Sequence, residues 1–574
     1  MKKLFLTIIA VAALTAFMPW QEAYAEKPDG CSLLNNPEIR AGMSNALEMK
    51  LMVQCGEISQ EELDQRRSEV TGDSSIKPLG ADIPVSNPAM DTGGTTQSES
   101  SIVVVGNVVC AAWNDSGEGY GANGFSGFAS SGNGGLTFTD HGPFPTGTGS
   151  DKNWGDPSLA YSVRDSAFYY AALSDQGLSL WKSTNSCQSF SYVGPIHVGS
   201  GDDKELMAVD NNPSSPYYGR IYVGWTNFSL GANRNQTTYS NNGGASWSAA
   251  VSLPSSGVNG QGMWPAVAPN GDVYFAVLNR ASSIGGLQDQ WVYKSTNGGV
   301  SWTKMTNIGT GQLRPENAAS SSACGRQALN ADIRNLSSPQ IAIHADAAAP
   351  AGYVVHAIYP YDSDGAGADQ SNVFYRRSTD GAVSWSAEVK LNDDGTSRDQ
   401  WFPAIAVNSN GAVAASWYDR RLDTGNVNFD RYAAISMDGG LTWSSNVRIS
   451  DVSSPVSTNR PHFDGLATCY HGDYDQVVVD ANKVHILWSD DRRITATGPN
   501  PDMYYDQLTL GVIVPDVWGN INLQGSPVAG SKVILKQTGE LNQTIKTDSG
   551  GEYKFNSVVP GKKFKIIING PVVP

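Results

Sequence analysis

Residues 436–443 read Ser-Met-Asp-Gly-Gly-Leu-Thr-Trp, and near-copies of this phrase recur along the chain. They are S-G-N-G-G-L-T-F from Ser131, S-N-N-G-G-A-S-W from Ser240 and S-T-N-G-G-V-S-W from Ser295. More degenerate copies are S-T-D-G-A-V-S-W from Ser378 and S-T-N-S-C-Q-S-F from Ser183. An Asp or Asn side chain accepts hydrogen bonds from backbone amides two residues on, and glycine supplies the positive φ of a tight hairpin turn. The closing Trp or Phe is expected to fold back over the turn and shield it. Every step is local, so the phrase reads as a staple and needs no substrate to explain it.

A repeat of this length is read before anything else, because it sets the architecture. Around each copy lies a short strand, then an apolar strand ending in Trp and a polar or acidic pair, then a strand leading into the turn. The second element is A-A-W-N-D from Ala111, V-G-W-T-N from Val223, A-S-W-Y-D from Ala415 and I-L-W-S-D from Ile486. Seven units follow, near 100–138, 156–190, 204–247, 262–302, 337–385, 401–443 and 470–510; six with one irregular unit is the alternative. The seventh lacks a fourth strand. The segment D-I-P-V-S-N from Asp82 resembles the other fourth strands, such as N-V-R-I-S-D from Asn446, and is expected to complete the last blade and close the ring.

The turn phrase resembles the Asp-box, or BNR repeat, of the sialidase superfamily, over roughly residues 80–511. The resemblance implies an all-β propeller, which the unit count makes seven-bladed, and a glycan-directed protein, and the superfamily also holds non-catalytic binders. A retaining sialidase would need three arginines on the substrate carboxylate, an Asp acid/base and a Tyr nucleophile activated by a Glu. The family's first arginine lies in an Arg-Ile-Pro motif before the first Asp-box. This chain has no Arg-Ile-Pro and no arginine between Arg67 and Arg164, so that triad is not carried over.

The two ends differ from the middle. Lys2 and Lys3, an apolar run from Leu4 to Phe17, and Ala23-Tyr24-Ala25 form the pattern of a secretory signal peptide over 1–25. No cysteine follows directly to take a lipid. Export in bacterial style, to the medium or the cell surface, is the expectation. In 26–79, Ile39, Met43, Leu47 and Leu51 recur every four residues, and Ser59-Gln60-Glu61-Glu62 reads as a capping box; a small helical appendage and linker are expected. From 512 to 574, G-S-P-V-A-G-S-K-V-I-L and V-V-P-G-K-K-F-K-I-I-I resemble the carboxypeptidase regulatory-like domain, a prealbumin-like β-sandwich. Six cysteines permit three disulfides, of which Cys31–Cys55, flanking one helical segment, is the preferred pair. The net charge of −16 argues against nucleic acid as partner. The Leu4-to-Phe17 run is too short to span a bilayer, and no other apolar stretch reaches its length.

In a propeller the segments entering first strands and leaving second strands share the face opposite the staples. Entering segments here include W-G-D-P from Trp154, D-D-K-E from Asp202, G-M-W-P from Gly262, D-Q-W-F-P from Asp399 and H-G-D-Y-D from His471. Long insertions near 303–336 and 449–469 add Arg314, Arg326, Arg334 and Arg460. A two-carboxylate hydrolysis would draw on Asp156, Asp399, Asp419 and Asp473, with Tyr474 as an alternative nucleophile. Asp203, Glu205, Trp264, Trp401, Arg421, Arg460, His471 and Arg492 are candidates to bind substrate, rings stacking on Trp and acids and arginines holding hydroxyls. Asp362, Asp364 and Asp369 crowd a glycine-flexed loop whose oxygens suit calcium; no cofactor is required. The partner expected is an extracellular glycan or glycoconjugate, with a surface protein docked on the propeller face as the non-catalytic alternative. A solvated acidic loop and blade-capping Asp and Trp are the bland readings of the same residues.

Overall fold

The computed structural model describes residues 7–12, most of 81–510, and strand segments between 516 and 569; the largest stretches left out within 81–510 are 116–124, 316–327 and 457–470. The helices expected in 26–79, and the Cys31–Cys55 pair, lie outside the described residues. The chain divides into two compact units, Thr71–Leu510 and a second made of Met1–Val70 with Gly511–Pro574.

The larger unit is a ring of seven antiparallel four-stranded sheets, here blades I to VII in chain order. Their first strands are Gln97–Val105, Asn153–Ser162, Asp202–Val209, Gly260–Val267, Gln340–Ala345, Gln400–Val407 and Val477–Val479. In each blade the first three strands pair in sequence. Blade IV carries an added strand, Gly309–Leu313, beside its third. Blade VII takes its fourth strand from the other end of the ring: Ile83–Pro84 pairs with Gly498–Thr509, with Ile83 opposite Tyr505. The ring is therefore closed by strand exchange, and no sheet edge is left open there.

The core is divided like the ring. Seven apolar clusters fill the seven seams between neighbouring blades, from Phe128 with Phe168 and Trp181 at I/II round to Leu487 with Val109 and Trp113 at VII/I. Because both faces of each second strand are covered, runs such as Val109–Trp113 are apolar without alternation, and all five residues are buried. Polar side chains cross the same seams: Ser101 accepts from the Leu159 amide at 2.9 Å, Ser158 from Met207 at 2.9 Å and Gln476 from Ile102 at 3.1 Å.

The repeated phrase folds as a staple. At the sixth copy, in blade VI, Ser436 donates to Asp438 at 2.7 Å, the Gly440 amide donates to Ser436 at 2.8 Å and the Thr442 amide to Asp438 at 2.9 Å. The same bonds recur at Ser131, Ser240 and Ser295. In three copies the closing aromatic reaches the preceding blade: Trp443 packs on Tyr375, Phe138 on Tyr505 and Phe190 on Phe128, whereas Trp302 packs on Phe275 of its own blade. The second glycine is pressed against the preceding blade too. A Cβ at Gly440, where φ is +81°, would lie 1.8 Å from the Tyr375 hydroxyl. Gly440→Ala is accordingly expected to cost about 2–4 kcal/mol, from overpacking plus backbone strain. Urea denaturation of the single variant and of Gly440→Ala with Tyr375→Phe checks this, since removing the hydroxyl should restore part of the loss.

In the copy from Ser183, Cys187 occupies the position of that glycine, at φ +63°. Its sulfur is bonded to Cys110 on the second strand of blade I, across 77 residues of sequence. A covalent link thus stands where the other copies use a close glycine contact.

In the smaller unit, Asp516–Leu523 pairs with Ser526–Pro527, Glu552–Asn556 and Thr7–Ala12, and a second sheet joins Gln543–Lys546, Lys532–Gln537 and Phe564–Asn569. Thr7–Ala12 falls in the apolar run read above as a signal segment, and here it is a strand.

Candidate functional site

The candidate site is built by a defect repeated in the first strands. In blades I, II, III, IV and VI the pairing with the second strand slips, between Ser98 and Ser101, Gly155 and Ser158, Asp203 and Leu206, Gln261 and Met263, and Trp401 and Ala404. Each slip holds one residue at positive φ: Glu99, Asp156, Lys204, Gly262 and Phe402, with Gly472 at the corresponding place in blade VII. The left-handed conformation costs a residue with a Cβ about 1–2 kcal/mol, so it persists only where the surroundings impose it. A bulge of this kind re-aims a side chain, and here Glu99, Asp156 and Lys204 converge. Gly472 has no room for a Cβ, which would lie 2.8 Å from Glu99 Cγ.

Lys204 is the hub. Its ammonium bonds directly to Asp473 and lies 3.8 Å from Glu99. Arg334, from the insertion before blade V, bonds to the same Asp473 oxygen at 2.5 Å. The Lys204 amide donates to Asp156 at 3.2 Å, and Asn114 ties the rest together by donating to Glu99 at 2.7 Å and accepting from the Asp156 amide at 2.6 Å. Burial alone would depress the Lys204 ammonium; Asp473, Glu99, Asp156 and Asp203 together outweigh it and hold it above the ordinary lysine value.

The carboxyls around it are driven apart. Burial opposes ionisation of Asp473, but Arg334 and Lys204 overcome it and hold the group below the usual carboxylate range. Asp156 is likewise lowered against its burial, by Lys204 and by a hydrogen bond from Glu99. Glu99 moves the other way, well upward, through burial and the neighbouring charge of Asp156. Asp203 is pushed up to about 7 by burial, with Asp156 and Asp473 adding to it and Lys204 opposing. Glu205 is fully buried, its carboxyl oxygens have no side-chain partner, and burial raises it well above the usual range. Two ionised carboxylates, Asp156 and Asp473, thus share a site with three groups that retain protons more readily. Beside them a small cavity is lined by Lys204, Trp264, Gln340, Phe402, Asp473 and Tyr474. The Tyr474 hydroxyl donates to the Pro157 carbonyl at 3.4 Å and its ring meets Trp264 edge-on.

Of the residues singled out in the sequence, Asp156, Asp203, Glu205, Trp264, Asp473 and Tyr474 come together here. The others are used by the blades. Asp399 is buried against Arg420 at 2.9 Å and accepts from Asn330 and the Gln370 amide, and Arg420 stacks on Trp401. Trp401 is itself buried in the blade VI/VII seam rather than presented to a sugar. Asp419 accepts from the Trp417 indole at 3.0 Å and from Arg421 at 2.7 Å, and Arg421 continues to Asp393 and lies over Tyr432. Arg492 repeats that pattern with Asp490, Asp82 and Tyr504. These are strand-end clamps, the bland reading of the Trp-x-Asp signal. His471 pairs with Asp491 at 2.9 Å under Phe429. Arg460 lies outside the described residues. Asp362 accepts from the amides of Asp364 and Gly365, and Asp369 accepts from Asn372; among the described residues no three His, Cys, Asp or Glu side chains are grouped to hold a metal ion.

Sequence reading passed over Glu99 and the lysine of D-D-K-E. Superimposing the entering segments S-E-S-S, G-D-P-S and D-K-E-L on their bulge would have aligned Glu99, Asp156 and Lys204 as one set.

The fold and this site define the class: a closed seven-bladed propeller whose first-strand bulges gather a buried charged cluster beside a small cavity. Compared with known proteins, the chain matches no protein-family model and no curated protein. Among solved structures it is similar to an α-L-arabinofuranosidase from Fusarium graminearum, at 9% identity over 76% of this chain and 99% of that one, TM-score 0.38. It is also similar to a leech intramolecular trans-sialidase, at 11% identity over 70% of this chain and 73% of that one, TM-score 0.38. A phage phi92 endosialidase gives 10% identity over 75% and 69%, TM-score 0.39. None of these likenesses bears on what this chain acts on.

Proposed function

We propose that this is an exported, glycan-directed protein that hydrolyses glycosidic bonds at this site. The observation that carries the reading is a carboxyl cluster gathered on one cation beside a small cavity: Asp473 bonds to Lys204 and Arg334, Asp156 accepts from the Lys204 amide, and neighbouring Asp203 is pushed up to about 7 by burial. Hydrolysis by paired carboxyls needs one group able to give a proton near neutrality and one that stays charged. In this reading Asp203 is the acid, Asp473 or Asp156 the charged partner, and Trp264 and Tyr474 the walls against which a sugar ring packs. Export rests on the Lys2-to-Ala25 pattern alone.

The test is a screen of the mature protein on sialosides and a panel of polysaccharides, with Asp203→Asn, Asp156→Asn and Asp473→Asn alongside. Turnover should fall at least a hundredfold in Asp203→Asn, as for loss of a general acid, where about 10²–10⁴ is usual. In the wild type it should decline as pH rises through 7, because the acid is then lost. A second reading, glycan binding without turnover, is favoured by one feature: the same Asp473 oxygen is taken by both Lys204 and Arg334. Saturable binding with no cleavage anywhere on the panel would replace the enzyme by that binder.

A further inference from the structure

The last strand to join the ring brings a like-charged pair face to face. Ile83 is opposite Tyr505 and Pro84 opposite Tyr504, which sets Asp82 opposite Asp506. The corresponding positions in other blades carry no such conflict. In blade V the register sets Glu388 opposite Arg376, 3.8 Å apart, and in blade VI it sets Asn446 opposite Ala434. Like charges directly opposed across strands are destabilising.

The conflict is sharpened by burial. Asp506 is 2% exposed and its Oδ2 has no hydrogen-bond partner, nor has Oδ1 of Asp82. A third carboxylate, Asp451 of blade VI, is latched to Asp82 by reciprocal amide bonds of 2.9 and 2.8 Å. Among the described residues the one cation bonded to this group, Arg492, is shared between Asp82 and Asp490. Lys483 is directed to Gln507. Among the described residues the only donor to Asp506 is the Gln507 amide, at 2.7 Å on Oδ1.

We propose that ring closure is proton-locked: a proton held by the Asp82/Asp506 carboxyl pair keeps the closing strand Ile83–Pro84 in blade VII, and its loss loosens that strand. Burial, with the charges of Asp82 and Asp451, pushes Asp506 up to about 7, and burial raises Asp82 as well. Because the folded value lies above the unfolded one, this contribution is complete in acid and lost as pH rises through about 7. The propeller is therefore most tightly closed in a mildly acidic surrounding.

Amide hydrogen exchange on the full chain tests this at Val85, whose N–H bonds to the Met503 carbonyl at 2.8 Å. After correction for intrinsic exchange, its protection should fall at least tenfold between about pH 5.5 and 8.5, while that of Leu253 in blade III should not. In Asp506→Asn, which mimics the protonated acid, protection should stay high throughout. A wild-type protection independent of pH, or a fall that persists in Asp506→Asn, overturns the proposal. Asp451→Asn removes one like charge and should lower the pH of the transition's midpoint; an unmoved or raised midpoint also counts against it.

Discussion

Lys204→Met is expected to destabilise the propeller by about 3–5 kcal/mol, the usual consequence of removing one member of a buried ion pair. Methionine keeps the length of the side chain and the same strained backbone at φ +55°, so the change isolates the charge. Asp473 would retain Arg334, but Asp156 and Glu99 would lose the cation that faces them. Linkage gives the loss a pH signature. Asp473 and Asp156 are depressed in the native protein, so their contribution is present above the unfolded carboxylate value, about 4, and disappears as pH falls through the lower native values. The difference between wild type and Lys204→Met should be largest near neutrality and shrink in acid. Urea unfolding at several pH values checks both points, and Lys204→Met with Asp473→Asn should recover part of the loss.

Opening the Cys110–Cys187 bond should cost nearly as much. The link closes a loop of 77 residues, for which the chain-entropy account gives about 4 kcal/mol. The residue at 187 then decides the remainder. With Cys110→Ala, alanine at 187 keeps a Cβ in the left-handed region, whereas glycine there returns the phrase to the form of its sister copies. Cys110→Ala with Cys187→Gly should therefore be more stable than the double alanine variant by about 1 kcal/mol. Denaturant midpoints of the two variants, against wild type with and without reductant, measure the difference. Equal midpoints would mean that backbone relief at 187 contributes nothing.

The staple was legible because its chemistry is local. Ser436, Asp438, Gly440 and Thr442 meet within one turn, so residue types and spacing suffice to read it. The closing strand was legible for a related reason: Asp82–Asn87 carries the same pattern as the strand after Ser436, and it lies in the register that pattern implies. What the closing aromatics do was not legible. Trp443 and Phe138 look like covers for their own turns, but their partners, Tyr375 and Tyr505, come from the preceding blade.

The site divides along the same line. Acidic and aromatic residues at strand entrances were visible, and Asp156, Asp203 and Asp473 were among them. Their partners were not, because Lys204 meets Asp473 from 269 residues away and Arg334 meets it from 139. Nor could spacing tell Asp473, in the site, from Asp419, which holds the indole of Trp417, or Trp264, beside the cavity, from Trp401, inside a seam. By itself the sequence determined the repeat and the way the ring shuts and favoured seven blades over six, since each is written in contacts between near neighbours or in a pattern repeated along the chain. Only the tertiary structure decided which charges face one another. Ring closure brings distant first strands to a common axis, and the burial it imposes there sets which carboxyls keep their protons.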